Sequence, residues 1–446
     1  MAKFSGANCR AAACPDYRRF SQGARIGVTM ASLLVAGPLL AQEASYTATT
    51  TIFTDLTHTS TDRDNDTRGG VGIRGDVGAL LQSGAHNFNA RYGALMESER
   101  SSLARNEDDD LSFYGSSRYD FYRPGGRFDA NAGHTIRSVR NATGFALDPA
   151  QYSTQNALSA GAGVSFYPGA LTSLRLGGQA GKTWEEDRLE DGESASVDAA
   201  LTRRFSERTN LSLNGSRSWE ERGDTSLTLD NATVGTDTRF ENGSLSMQAG
   251  VSRAQDDDFE NDAVIGSLVR TWVSERSDTQ LSFDRTQTST LLDLTFAPIP
   301  DFGLDNEFSI RLQGLTLRNS VGLTHNNRNF CSLCTVRFIA RGTEREDVQT
   351  EVTDYEYLLG TGISIAMDTL QTLDFDYRWQ GDAFTDRTTI DDEVHRFYVT
   401  WRRQLTELAT FGASVGTDIT RGTDDRERYI ARLFFTLGWA GAESAW

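Results

Sequence analysis

A closed transmembrane β-barrel is the fold this chain predicts, and three observations predict it. The first is a two-residue period of apolar side chains along most of the length, clearest at Tyr429, Ala431, Leu433, Phe435, Leu437 and Trp439. Successive strand side chains point to opposite faces, so each such run makes one apolar face and one mixed face. The second is the alternation of tight turns with longer acidic loops, which puts short connections at one end of a barrel and long ones at the other. The third is composition. Only 38% of the residues are hydrophobic, too few for a bundle of spanning helices that each need about 20 consecutive apolar residues. An open sheet of this length would leave edges that lipid cannot satisfy, so the sheet must close. The runs count to an even number of antiparallel up-and-down strands, about 18 to 20, with 16 as the lower bound.

The elements follow in order. Residues 1–41 read as a signal peptide. Arg10, Arg18, Arg19 and Arg25 form a basic segment, Ile26 to Leu40 an apolar one, and Leu39-Leu40-Ala41 ends it before Gln42. Residues 42–446 are then the barrel, with a first strand from Tyr46 to Thr57 and no room ahead of it for a plug. Apolar faces recur at Val71, Ile73 and Val77, at Phe88, Ala90, Tyr92, Ala94 and Met96, and at Leu174, Leu176 and Ala180. They return at Leu245, Met247 and Val251, at Leu373, Phe375, Tyr377 and Trp379, and at Phe397, Val399 and Trp401. Turn residues separate them at Ser83 to His86, Arg123 to Gly126, Ser206 to Thr209, Ser274 to Ser277 and Leu405 to Leu408. Pro124, Pro149, Pro168, Pro298 and Pro300 all fall in turns or loops, as a residue without a ladder donor should. The stretch Leu291 to Glu346 reads as two strands, near Phe308–Leu317 and Thr335–Arg341, or as one long loop.

The net charge of -18 is acidic and lysine is almost absent. That excludes nucleic acid as a partner, because phosphate neutralisation needs clustered Lys and Arg. The acids are expected in loops: Asp62 to Asp66, Glu107 to Asp110, Glu185 to Glu193, Asp256 to Asp262, Asp382 to Glu393 and Asp424 to Glu427. Such loops could bridge to lipopolysaccharide through divalent cations, although Asp62-x-Asp64-x-Asp66 lacks the rest of a calcium loop. Cys331 and Cys334 are half of a zinc site at best, and a small-loop disulfide is the preferred reading. His395, after Asp391, Asp392 and Glu393, and His58, near Asp55, are the two places where an acid and a histidine could form a general-base pair. A histidine at headgroup level among solvated acids is the plainer account of both. No catalytic, metal-binding or cofactor-binding residue is assigned.

The faces opposite the apolar ones carry Arg311, Arg337, Asp374, Asp376, Arg378, Arg402 and Arg432 amid Ser, Thr, Asn and Gln. These seven are the candidate pore-lining residues. The alternation closing on Trp439 resembles the terminal signal that the barrel-assembly machinery reads in Gram-negative outer-membrane proteins, although here Ala440 to Ala445 follow it. The Ser-Glu-Arg turns at 206–208 and 274–276, the acidic loops and the plugless form resemble barrels associated with exopolysaccharide synthesis and secretion. That resemblance implies a channel exporting a polysaccharide or other polar polymer, with polysaccharide-export components as partners. A non-conducting scaffold barrel that binds surface polymer or periplasmic proteins is the alternative.

Overall fold

The computed structural model describes residues 43–61, 65–101, 107–123, 125–140, 152–185, 191–223, 225–256, 259–289, 294–295, 309–310, 315–348, 351–383, 390–422 and 425–444. The signal-peptide reading, Arg311, and four of the five prolines (124, 149, 298 and 300) lie outside them.

The strands are β1 (Glu43–Thr61), β2 (Asn65–Ser83), β3 (His86–Ser101), β4 (Glu107–Tyr122), β5 (Phe128–Arg140), β6 (Tyr152–Gly169), β7 (Thr172–Glu185), β8 (Gly192–Arg204), β9 (Thr209–Arg222), β10 (Thr225–Phe240) and β11 (Gly243–Asp256). They continue as β12 (Phe259–Val273), β13 (Ser277–Ser289), the two-residue β14 (Leu294–Thr295) and β15 (Ser309–Ile310), β16 (Leu315–Cys331), β17 (Cys334–Asp347), β18 (Thr353–Ala366), β19 (Gln371–Ala383), β20 (Asp392–Thr406), β21 (Ala409–Arg421) and β22 (Arg426–Ser444). All but β14 and β15 join one 20-stranded sheet. Each strand pairs antiparallel with the next, and β22 closes on β1 with Phe435 opposite Ile52 and Arg432 opposite Asp55. Among the described residues there is no helix.

Twenty is the upper end of the expected strand number. The region around 291–346 holds two barrel strands, but they are β16 and β17. Within Phe308–Leu317, Ser309–Ile310 form β15 in a separate two-stranded sheet and Leu315–Leu317 are the first residues of β16, while 308 and 311–314 lie outside the described residues. The acidic runs need correction too. Residues 107–110 lie in β4, 259–262 in β12, 392–393 in β20 and 426–427 in β22. A strand ladder continues beyond the apolar band, where both of its faces can be polar.

Turns carry the chemistry their geometry demands. Gly84 has a φ of 56° in the tight β2–β3 connection, the left-handed region that favours glycine. In the 205–208 and 274–276 turns a serine Oγ accepts the backbone N–H three residues on, from Thr209 at 3.0 Å and from Ser277 at 3.0 Å. The recurring Ser-Glu-Arg sequence is thus a self-capping hairpin turn.

Exposure separates the walls. Leu433, Leu437 and Trp439 are 50%, 49% and 57% exposed, and Ile52, Val71, Val77, Val251, Val264 and Val415 behave alike. These mark the outer wall, and residues of the alternate parity face the lumen. On the inner wall four aromatic rings lie flat over glycines of a neighbouring strand: Phe53 on Gly72, Tyr114 on Gly93, Phe434 on Gly412 and Tyr398 on Gly416. No Cβ would fit beneath them. The ring covers backbone that a side chain would otherwise shield.

Candidate functional site

The six described pore-lining candidates, Arg337, Asp374, Asp376, Arg378, Arg402 and Arg432, share the inner-wall parity and come together on β17 to β22. Register links them directly. Arg337 faces Gly362, which faces Asp376. Gly360 faces Arg378, which faces Arg396. Asp374 faces Thr400, which faces Ser414, and Ser414 faces Arg432.

Their partners divide them. Arg402 Nη1 holds Asp374 Oδ2 at 3.0 Å. Arg432 Nη2 reaches Asp55 Oδ2 at 3.5 Å, and its guanidinium lies 4.4 Å from the Phe53 ring centroid. Higher on the wall, buried Arg345 contacts Glu356 and lies 3.8 Å from Asp354. Further round the wall, Arg74 of β2 pairs with Asp76 at 3.0 Å, and Arg175 of β7 holds Asp129 at 2.7 Å and Asp198 at 3.1 Å. These cations are neutralised by the barrel itself.

Arg337, Arg341 and Arg378 are different. None makes an ion pair or side-chain hydrogen bond with the described residues. Arg378 stands directly opposite another arginine, Arg396, a like-charge pairing that a sheet disfavours. The Asp376 carboxylate leans over Gly362, where a Cβ would lie 3.0 Å from Oδ2. The result is a cationic strip on one wall whose donors point into the lumen. Arg341 and Arg396 were not among the candidates. The inner-face parity of β17 and β20 was the signal that could have found them.

Another arc of the lumen carries mainly amide and hydroxyl groups, with Asp198 and Asp284 among them. A hollow of about 350 Å³ between β8 and β13 is lined by Asn214, Ser216, Asn231, Thr233, Gln248 and Asp284. Thr233 Oγ1 accepts hydrogen bonds from Gln248 Nε2 and from Asn214 Nδ2, the latter at 3.5 Å. Most of these amides and hydroxyls retain donors and acceptors for a passing solute.

The remaining sequence candidates lie elsewhere. Cys331 and Cys334 face each other across the β16–β17 turn in a disulfide, with Cα atoms 5.0 Å apart. Neither histidine meets an aspartate. His395 is on the outer wall, with Nδ1 2.9 Å from Tyr377 Oη and Nε2 3.5 Å from Glu393. Asp392 faces Asp382 on the inner wall. His58 Nδ1 lies 2.9 Å from Thr67 Oγ1 on the outer wall, while Asp55 faces Arg432 on the inner one. Among the described residues no group of three metal-ligating side chains occurs; Asp62 and Asp64 lie outside them.

No family model and no curated protein matches the sequence. Several solved barrels are similar in shape. OccK5 (OpdH) of Pseudomonas aeruginosa is 10% identical, with a TM-score of 0.40, over 90% of this chain and 99% of its own. The outer membrane protein OpdK of the same organism is 10% identical, with a TM-score of 0.39, over 90% and 100%. The siderophore receptor PirA of Acinetobacter baumannii is 8% identical, with a TM-score of 0.49, over 88% and 80%. Likenesses this remote carry no argument about function.

Proposed function

We propose that this protein is an outer-membrane channel for anionic, polar solutes. Its finer role, carried over from the exopolysaccharide resemblance, is export of an acidic polysaccharide or similar polymer. The observation that carries the reading is the strip of Arg337, Arg341 and Arg378, unpaired among the described residues, on the inner wall of a closed 20-stranded barrel. Barrels of about 16 or more strands enclose an aqueous lumen. Unpaired guanidinium groups there raise the local concentration of anions without binding them tightly, which is what conduction requires. The amide-and-hydroxyl arc supplies weak, repeated hydrogen bonds for a hydroxylated chain. Outer-membrane placement follows from the outer wall, where exposed aliphatic side chains would be costly anywhere but in lipid.

Single-channel recording in planar bilayers tests this. Stepwise conductance with anion-biased reversal potentials is expected, and Arg337→Gln/Arg341→Gln/Arg378→Gln should shift the bias toward cations. Folded protein that gives no steps at any salt or voltage refutes the channel.

The scaffold reading keeps one supporting observation. Strand β15, from the connection between β13 and β16, lies against β5, nearly across the barrel. At that end Ala254 and Leu315 are only 0% and 2% exposed and pack together with Leu227. A lumen occluded there at rest would not conduct, and the same recordings decide between the two.

A further inference from the structure

A second hollow opens on the outer wall, toward lipid rather than lumen. Its volume is about 420 Å³, and Tyr377, Glu393, His395, Phe397, Ile419 and Arg421 line it. All have outer-wall parity: Tyr377 faces Phe397, His395 faces Ile419, and Glu393 faces Arg421. Around it the polar groups are bonded in series. Trp379 Nε1 donates to Glu393 Oε2 at 3.2 Å, and Arg421 Nη2 holds Glu427 Oε1 at 2.5 Å. Tyr429 Oη donates to Glu427 Oε2 at 3.1 Å.

The height of this cluster identifies what it faces. Tyr429 stands ten residues from Trp439 along β22 (439 − 429 = 10). At ~3.3 Å per residue and a tilt near 40° that is about 25 Å, the height of a barrel's apolar band. Trp439 is near the short-turn, periplasmic end. The hollow therefore opens at the headgroup level of the outer leaflet.

Its chemistry is that of a sugar site. Tyr377 and Phe397 line the hollow and Trp379 and Tyr429 border it through Glu393 and Glu427, so aromatic rings are at hand for the C–H face of a pyranose. Glu393, Glu427 and Arg421 supply charged acceptors and donors for ring hydroxyls, the strong kind of hydrogen bond. Two carboxylates flank the single arginine, so a bare phosphate is not favoured. From Phe397 at the edge of the hollow, exposed Val415 continues an apolar path along the outer wall for acyl chains. We infer that this hollow binds the saccharide headgroup of an outer-leaflet glycolipid. The site is independent of whether the lumen conducts.

Native mass spectrometry of the folded barrel in detergent tests it with three probes of defined structure. These are a diacyl glycolipid with an unphosphorylated disaccharide headgroup, phosphatidylglycerol with the same chains, and the free disaccharide. The glycolipid should bind about tenfold more tightly than phosphatidylglycerol, a difference of ~1.4 kcal/mol. The free disaccharide should bind more weakly than the glycolipid, because the acyl path is unused. The double substitution Trp379→Leu/Glu393→Ala should remove the preference. Glu393→Gln, which keeps shape and folding, should reduce it severalfold. Heat-modifiability on gels confirms the fold of each variant. Equal binding of the two lipids by the wild type, or a preference that survives Glu393→Gln and the double substitution, overturns the inference.

Discussion

Placing an arginine at Leu433 or at Thr436 tests the inside-outside assignment directly. Leu433 is half exposed on the outer wall, between Ala413 of β21 and Thr54 of β1. It lies six residues from Trp439 (439 − 433 = 6). That is about 15 Å up a strand tilted near 40°, close to the middle of a ~25 Å apolar band. An arginine there should cost about 2–4 kcal/mol, a thirty- to thousandfold change in the folding equilibrium at ~1.4 kcal/mol per tenfold. Thr436 faces the lumen, where its hydroxyl lies 2.9 Å from that of Thr51. Thr436→Arg loses that one bond and gains water, so it should cost about 0.5–1.5 kcal/mol. Urea titration of folding into lipid vesicles measures both. Equal shifts in the midpoint, or a larger shift for Thr436→Arg, would refute the assignment, because a one-residue slip exchanges the faces.

The glycine-under-ring positions should not tolerate a side chain. Gly412→Val or Gly416→Val must displace Phe434 or Tyr398, and each should lower stability by about 1–3 kcal/mol in the same urea titration. Arg345 is buried against Glu356, so Glu356→Ala should cost about 3–5 kcal/mol, with much of the loss recovered when Arg345→Met is added. A double-mutant cycle reads that coupling. The Cys331–Cys334 disulfide closes a very short loop in a hairpin that is already paired, so Cys331→Ser/Cys334→Ser should cost no more than about 2 kcal/mol.

How much of this was legible in the sequence depends on what alternation can report. The last strand was clear because Leu433, Leu437 and Trp439 alternate with Arg432, Phe434 and Thr436, and parity fixes the face once one wall meets lipid. Where a strand leaves lipid, both faces turn polar and the signal stops while the ladder continues. Residues 107–110 and 259–262 therefore read as loop. The start of β16 was hidden for a different reason: its first residues, Leu315 and Leu317, are both buried, and they are out of phase with the apolar positions Phe308, Ile310 and Leu312 before them. Parity placed Arg337, Asp374, Asp376, Arg378, Arg402 and Arg432 on one face. It did not say which of them bond to one another, because that is set by cross-strand register. Nor did it show that His395 and Glu393 share an outer-wall hollow with Arg421, a residue on another strand.

Register also orders the lumen charges along its axis. At the end away from the short turns, Glu356 faces Asp382 and Asp382 faces Asp392, so three carboxylates lie in one row. Two rows nearer the short turns come Arg378 and Arg396, with Asp418 and Arg428 continuing that row. Two rows further on, Asp374 is held by Arg402, and Arg432 faces Ser414 in the same row. The fixed charges are therefore layered, and the layers are unequal in availability. Arg402 and Arg432 are engaged by the wall, whereas Arg337, Arg341 and Arg378 are not. A net charge of -18 belongs to the chain as a whole and does not describe the path through its middle. A solute in the lumen responds to the unpaired charges nearest it, because paired ones nearly cancel within a Debye length of about 8 Å at physiological salt. An acidic barrel can on that account present a cationic strip to what it carries, while the carboxylate row beyond it is partly neutralised where Arg345 meets Glu356.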